Sequence, residues 1–293
     1  MSAGDRLARS LLYVPGTHTR WLPKAWAGGA DAVILDLEDG VAADRKQEAR
    51  GLARAAIEEH GAAGASSGQL WVRVDGDAVE TDLEAVLRHG LHGVVLPKAE
   101  PRSLAALAEV IARLEASRNL PDGATQVVAL VETAVGAQRI EELAGSARVS
   151  RLALGEADLA ADLGIRPDAR RTELFPLRFA AVLASAAAGL PAPIGPVHTV
   201  IDDLDGLRST CEDQLRQGFR ARTAVHPRQV ADINAAFSPS AEEIASARRT
   251  VSAFEAALAS GQAVGRDEHG VVLDRATVRH SREVLARAAP SSP

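Results

Sequence analysis

A single cysteine, Cys211, in a chain of 293 residues leaves no intrachain disulfide and no thiolate zinc cage to be made. It falls in the helix-like run GLRSTCEDQLRQG, where a small buried thiol is the ordinary expectation. Aromatics are scarce too: five Phe, three Trp and one Tyr are too few for a base-stacking platform. Positive charge is not in excess, since 33 Lys and Arg against 39 Asp and Glu leave a net −6, which offers a polyanion no overall attraction. Nucleic acid is therefore not an expected partner. No segment approaches the ~18 uncharged apolar residues that span a bilayer, and MSAGDRLARS ahead of LLYVPG lacks the apolar stretch of a signal peptide. The expectation is a cytoplasmic protein with no membrane partner. A Gly-rich G-x-G-x-x-G is missing after the first apolar run, which argues against a dinucleotide-binding doubly wound sheet.

What is present is globular in character, with 46% hydrophobic and 25% charged residues. Short apolar, β-branched runs recur, each followed by an Ala-rich amphipathic stretch, the alternation of βα units. The strand candidates are 10–14, 32–37, 70–74, 93–97, 127–132, 151–155, 193–197 and 221–225, eight in all. Their mean spacing of roughly thirty residues is that of a complete βα unit. Between them THTRWLPKAWAGG, DRKQEARGLARAAIEEHG, PRSLAALAEVIARLEASR and RTELFPLRFAAVLASAAAGL read as helices, with Asp44 starting the second, Gly61 ending it, and Gly90 following a helix from Val79. Ala-Ser-Ser at 65–67 reads as a loop tip. The fold class predicted is α/β, a (β/α)8 TIM barrel over residues 1–237, with a C-terminal helical extension over 238–293. In that extension SPSAEEIASARRTVSAFEAALASG reads as a helix with Ser at its N-cap, and GVVLD is strand-like, followed by a polar helix.

Catalytic groups of such barrels sit at the C-terminal ends of the strands, so a polar residue closing an apolar run is the signal to follow. Here Asp36, Glu38 and Asp39 close strand two, Arg73 lies on strand three, Lys98 closes strand four, Glu132 strand five, and strand six runs into Glu156 and Asp158. Singly, each has a duller account as a helix cap, a rim charge or a salt bridge. Five consecutive strand ends point instead to one polar cup. Its carboxylates, Arg and Lys suit a hard cation with oxygen ligands, magnesium first and manganese second, and Glu132 with Asp158 is the pair expected to hold it.

These residues carry a resemblance. RSLLYVPGTHTRWLPKAWAGGADAVILDLEDGV, WVRV, VVLPKAE, VALVET, LALGEADLAADLG and AVHPRQV, in that order, resemble the citrate lyase β-subunit-like branch of the HpcH/HpaI aldolase family across about residues 9–237. The resemblance implies a homotrimer, or a dimer of trimers, of TIM barrels that make or break a carbon–carbon bond in a 3-hydroxyacyl-CoA thioester such as malyl-CoA or citramalyl-CoA. It puts Glu132 and Asp158 on the family's metal ligands and Arg73 on its substrate-binding arginine, where the guanidinium would hydrogen-bond the enolate oxygen. Arg20 and Lys24 become candidates for the phosphates of CoA, and His226 for a substrate contact at the rim of strand eight. Asp36, Glu38 and Lys98 complete the expected catalytic set.

The tail departs from the pattern. Relatives end on an element like DGxMxDxP, whose Asp reaches a neighbouring subunit's active site, whereas here VVLDRATVRHSREVLARA lacks the second Asp and its Pro. Either Asp274 or His280 takes over the proton transfer, or the chemistry differs, or the tail only closes the site. Glu156 also stands one residue away from the acid of many relatives. The alternatives left open are an aldolase acting on free 2-keto acids, a citrate lyase β subunit working on an acyl-carrier-protein thioester, and a non-catalytic barrel.

Overall fold

The computed structural model describes residues 7–64, 68–267 and 270–288. The loop tip expected at 65–67 and the first six residues of the chain lie outside them. The β-branched runs form β1 (Ser10–Pro15), β2 (Ala32–Asp36), β3 (Gln69–Arg73), β4 (Gly93–Leu96), β5 (Gln126–Val131), β6 (Val149–Leu154), β7 (Ile194–Gly195) and β8 (Ala221–Ala224). They pair in parallel in chain order, and β8 closes on β1 through Ser10↔Arg222, so the sheet is a closed barrel. The predicted (β/α)8 barrel is the observed fold.

The connecting helices are α1 (Leu22–Ala27), α2 (Lys46–Ala63), α3 (Val79–Val86), α4 (Pro101–Ser117), α5 (Ala134–Gln138), α6 (Ile140–Ala144), α7 (Glu156–Asp162), α8 (Phe175–Ala187), α9 (Leu204–Gln217) and α10 (Val230–Ala236). Two boundaries differ from expectation. Gly61 does not end α2, which runs on to Ala63; a Cβ at 61 would come 2.7 Å from the His89 carbonyl oxygen, so this glycine serves close approach of helix and loop. Gly16–Trp21 is a 3-10 turn, leaving only six residues to α1.

Strand side chains alternate between faces. One buried cluster draws Leu11, Ile34, Trp71, Val95, Val128, Leu130, Ala153, Ile194 and Ala221 from all eight strands, which identifies it as the barrel interior. Each fully buried Leu, Ile or Val there stabilises the fold by about 1.5–3 kcal/mol. Continuing the alternation two residues along each strand puts Tyr13, Asp36, Arg73, Glu132 and Gly155 on the same inner side, at the C-terminal mouth. Cys211 is buried in α9, where the Arg222 guanidinium donates to its Sγ at 3.3 Å.

The described residues divide into two compact units, Ala8–Ala235 and those from Ala236 to Ala288. In the latter, α11 (Ala241–Ala259) starts on a reciprocal cap: the Glu243 amide donates to Ser240 Oγ at 3.1 Å and the Ser240 amide to Glu243 Oε2 at 2.7 Å. An antiparallel pair, β9 (Gly265–Arg266) with β10 (Val272–Leu273), and α12 (Arg275–Ala288) follow. Phe254, Leu273 and Val278 form this unit's own apolar cluster. No helix among the described residues is long and apolar enough to cross a membrane.

Candidate active site

The register sets the site. Asp36 ends β2 opposite Arg73 on β3, and the two meet as a fork: Arg73 Nε donates to Oδ1 at 2.7 Å and Nη2 to Oδ2 at 2.6 Å. The same carboxylate accepts the amides of Glu38 at 3.0 Å and Gly40 at 2.9 Å, winding the DLEDG segment into a tight turn. A Cβ on Gly40 would collide with Asp36 Oδ2 at 2.5 Å. From the first residue of α2, Lys46 reaches back and donates to the carbonyls of Leu37 and Glu38 at 2.6 and 2.7 Å. The turn is thereby tied at both sides.

Glu38 is buried, with Oε2 2.9 Å from Arg73 Nη1 but in no hydrogen bond, and Oε1 3.2 Å from Lys98 Nζ. Burial raises its pKa, against the pull of Arg73. Arg73 is itself raised: burial works against its charge, and the hydrogen bonds and charge of Asp36 outweigh that. Its guanidinium also lies over the Tyr13 ring, 5.1 Å from the centroid. Tyr13 is half-buried, and burial pushes its phenol above the ordinary value, so it stays protonated. Asp39 is exposed and 3.6 Å from Arg73.

Lys98 follows β4 with φ of +46°, a left-handed backbone that costs a non-glycine residue about 1–2 kcal/mol. That conformation goes with its amide donating to Glu132 Oε1 at 2.8 Å. Glu132 is 3% exposed. Burial pushes its carboxyl up to about 8, opposed by the Lys98 amide and reinforced by the charges of Glu38 and Asp158. Room for it comes from the next strand: Val131 pairs with Leu154, so Gly155 faces Glu132, and a Cβ at 155 would stand 2.5 Å from Glu132 Oε2. Asp158 is exposed in the first turn of α7, a helix N-terminal position that suits a carboxylate.

The structure links Asp36, Glu38, Arg73, Lys98 and Glu132 through ion pairs and hydrogen bonds, and the charge of Asp158 reaches Glu132. Arg73 is partly engaged by the protein, because Asp36 takes Nε and one N–H of Nη2, and Glu38 crowds Nη1. Glu156 turns away from the mouth into a buried fork with Arg178 of α8, at 2.5 and 2.9 Å. Arg20 and Lys24 are exposed on the turn and helix after β1. His226 follows β8, where its Nδ1 accepts the Arg228 amide at 3.2 Å and caps a 3-10 turn. In the C-terminal unit Asp274 Oδ1 accepts the amides of Ala276 and Thr277 and the Thr277 hydroxyl, which hold its carboxyl below the usual range. His280 lies 3.8 Å from Glu283 on the surface of α12. Tyr13, Gly155 and Lys46 were not singled out from sequence; the two-residue alternation from Leu11 to Tyr13 was the available signal for the first.

A closed eight-stranded parallel barrel with a carboxylate and arginine cup at the C-terminal strand ends defines the class. The chain belongs to the HpcH/HpaI aldolase/citrate lyase family, which matches residues 9–227. It is 37% identical over 285 residues to a (3S)-malyl-CoA thioesterase of Cereibacter sphaeroides, covering 96% of this chain and 94% of that protein. With the citrate lyase subunit beta of Escherichia coli it shares 30% over 287 residues, 96% and 95% of the two chains. Its fold is similar to that of CitE from Mycobacterium tuberculosis in complex with magnesium, acetoacetate and coenzyme A, with a TM-score of 0.73, 31% identity and 97% and 99% of the chains covered.

Proposed function

We propose that this protein is a magnesium-dependent carbon–carbon lyase that cleaves, or forms, a 3-hydroxyacyl-CoA thioester of the malyl or citramalyl kind, yielding a ketoacid and an acyl-CoA. The observation that carries the reading is Glu132, a buried carboxylate at a strand end, held by a backbone amide, raised to about 8 and feeling a second acid, Asp158. A buried carboxylate with a second acid near enough to feel suits magnesium, which takes few protein ligands and keeps waters for exchange with substrate oxygens. Glu132 and Asp158 would hold it, with manganese the second choice. When bound, the ion supplies Lewis acidity toward the substrate's hydroxyl and carboxylate.

The chain's own residues do the rest. Asp36 locks the Arg73 plane, so the remaining N–H groups of Nη1 and Nη2 are aimed without reorganisation at the oxygen where charge develops as the carbon–carbon bond breaks. Lys98 and Glu38 form the polar wall beside it. Arg20 and Lys24 are assigned to the CoA phosphates and His226 to the rim. The homotrimer or dimer of trimers and the cytoplasmic location belong to the same proposal. Support for association comes from the outer face of α8, where Phe179 and Leu183 are 66% and 54% exposed.

A second reading, hydrolysis of the thioester, is favoured by the similarity to a malyl-CoA thioesterase. One assay separates them: a panel of 3-hydroxyacyl-CoAs is followed for ketoacid and for free thiol, with magnesium and with excess chelator. Ketoacid without thiol supports the lyase; thiol without ketoacid supports the hydrolase. Loss of either signal with chelator and in Glu132→Gln and Asp158→Asn supports the metal pair, and turnover that survives all three rejects it.

A further inference from the structure

Tyr13 lies on the inner side of β1 at the mouth of the barrel, with its ring packed against the interior cluster. Its ring covers one face of the Arg73 guanidinium at 5.1 Å. Three properties set it apart from a core aromatic. Its hydroxyl makes no hydrogen bond with any described residue, though the polar end of a half-buried tyrosine is a donor to be used. The residue is only partly buried, at the end of the strand that leads to the mouth. The phenol also feels the charges of Asp36, Glu132 and Glu38, so it stands among the groups of the site.

Arg73 gives part of its fork to the protein. Its Nε and one N–H of Nη2 are committed to Asp36, and Nη1 lies 2.9 and 3.6 Å from the carboxylates of Glu38 and Asp39, which draw on its charge. The N–H groups that remain lie on one side chain, and a developing oxyanion gains from a donor on a second.

We infer that the Tyr13 hydroxyl is a second donor to the substrate oxygen received by Arg73, the two forming a paired oxyanion site for the thioester enolate or the ketoacid oxygen. The inference rests on the proposed function and adds to it a residue that positions charge without carrying any. Tyr13→Phe keeps the ring over the guanidinium and removes only the donor.

The test exploits the composition: Tyr13 is the sole tyrosine of the chain, so protein grown on 3-fluorotyrosine carries one fluorine label, at this position. The probe is oxalate, a planar mimic of an enolised ketoacid, added with magnesium. We expect the single 19F resonance to shift on oxalate binding and the oxalate affinity of Tyr13→Phe to fall about tenfold. Its kcat should fall about 10²-fold, with KM for the acyl-CoA within a factor of two and an unchanged circular dichroism melt. A resonance unmoved while calorimetry shows oxalate bound, or Tyr13→Phe with wild-type affinity and kcat, overturns the inference and leaves the proposed function standing. Wild-type protein that neither binds oxalate nor turns over a thioester overturns both.

Discussion

Glu132 ties proton and metal chemistry together at one atom pair. Its carboxyl titrates near 8 against an ordinary 4.5, so the metal-free fold keeps a proton that the unfolded chain gives up across that window. Metal-free stability should therefore fall as pH climbs from about 4.5 to 8, and added magnesium should oppose the fall, checked by thermal melts at fixed ionic strength. Because the ion displaces that proton, magnesium affinity should rise about tenfold per pH unit below 8 and flatten above it, with proton release visible by calorimetry in buffers of different ionisation heat. Affinity independent of pH between 6 and 8 would remove Glu132 as a ligand. The buried Glu156–Arg178 fork makes a different prediction: Arg178→Met leaves the carboxylate only the more distant Arg171, 3.7 Å away, and should cost about 3 kcal/mol by urea denaturation.

At the scale of elements, Gly155 is the gap at the end of β6 into which the β5 carboxylate fits. Gly155→Ala should displace Glu132 and weaken magnesium binding at least tenfold while the melting temperature moves by only a few degrees; unchanged affinity would show that the strands yield instead. In the C-terminal unit Ser240→Ala should remove about 1 kcal/mol by opening the reciprocal cap of α11. The strands and the acids that close them were legible because each is a local signal, an apolar β-branched run with one polar residue at its end. Asp36, Glu38, Arg73, Lys98 and Glu132 all have that form. Glu156 has it too, and only the arginine twenty-two positions later in sequence, on α8, decides where it points. Tyr13 carries no signal of its own, being one aromatic inside an apolar strand run, and Gly155 acts through a side chain it does not have. β7 shrank from the expected 193–197 to Ile194–Gly195 because Pro193 is followed three residues later by Pro196, which has no amide to give the ladder.

At the scale of the whole molecule, the outer face of α8 leads to a prediction about mass. Phe179 and Leu183, one helical turn apart, are large apolar side chains facing outward. Light scattering should return a multiple of the 30.6 kDa chain, and the double substitution Phe179→Glu with Leu183→Lys should shift it toward the single chain. A wild-type mass of one chain would end the trimer proposal. A closed sheet has no edge, so each strand is clamped by two neighbours, but the clamping is uneven. β1 and β2 share five paired positions, whereas β6 meets β7 only at Ala153↔Ile194. A ring opens at its thinnest stave. Deuterium should therefore enter the amides flanking β7 long before those of β1 and β2, and a breathing gap there would give solvent a way into the barrel wall that the mouth does not control.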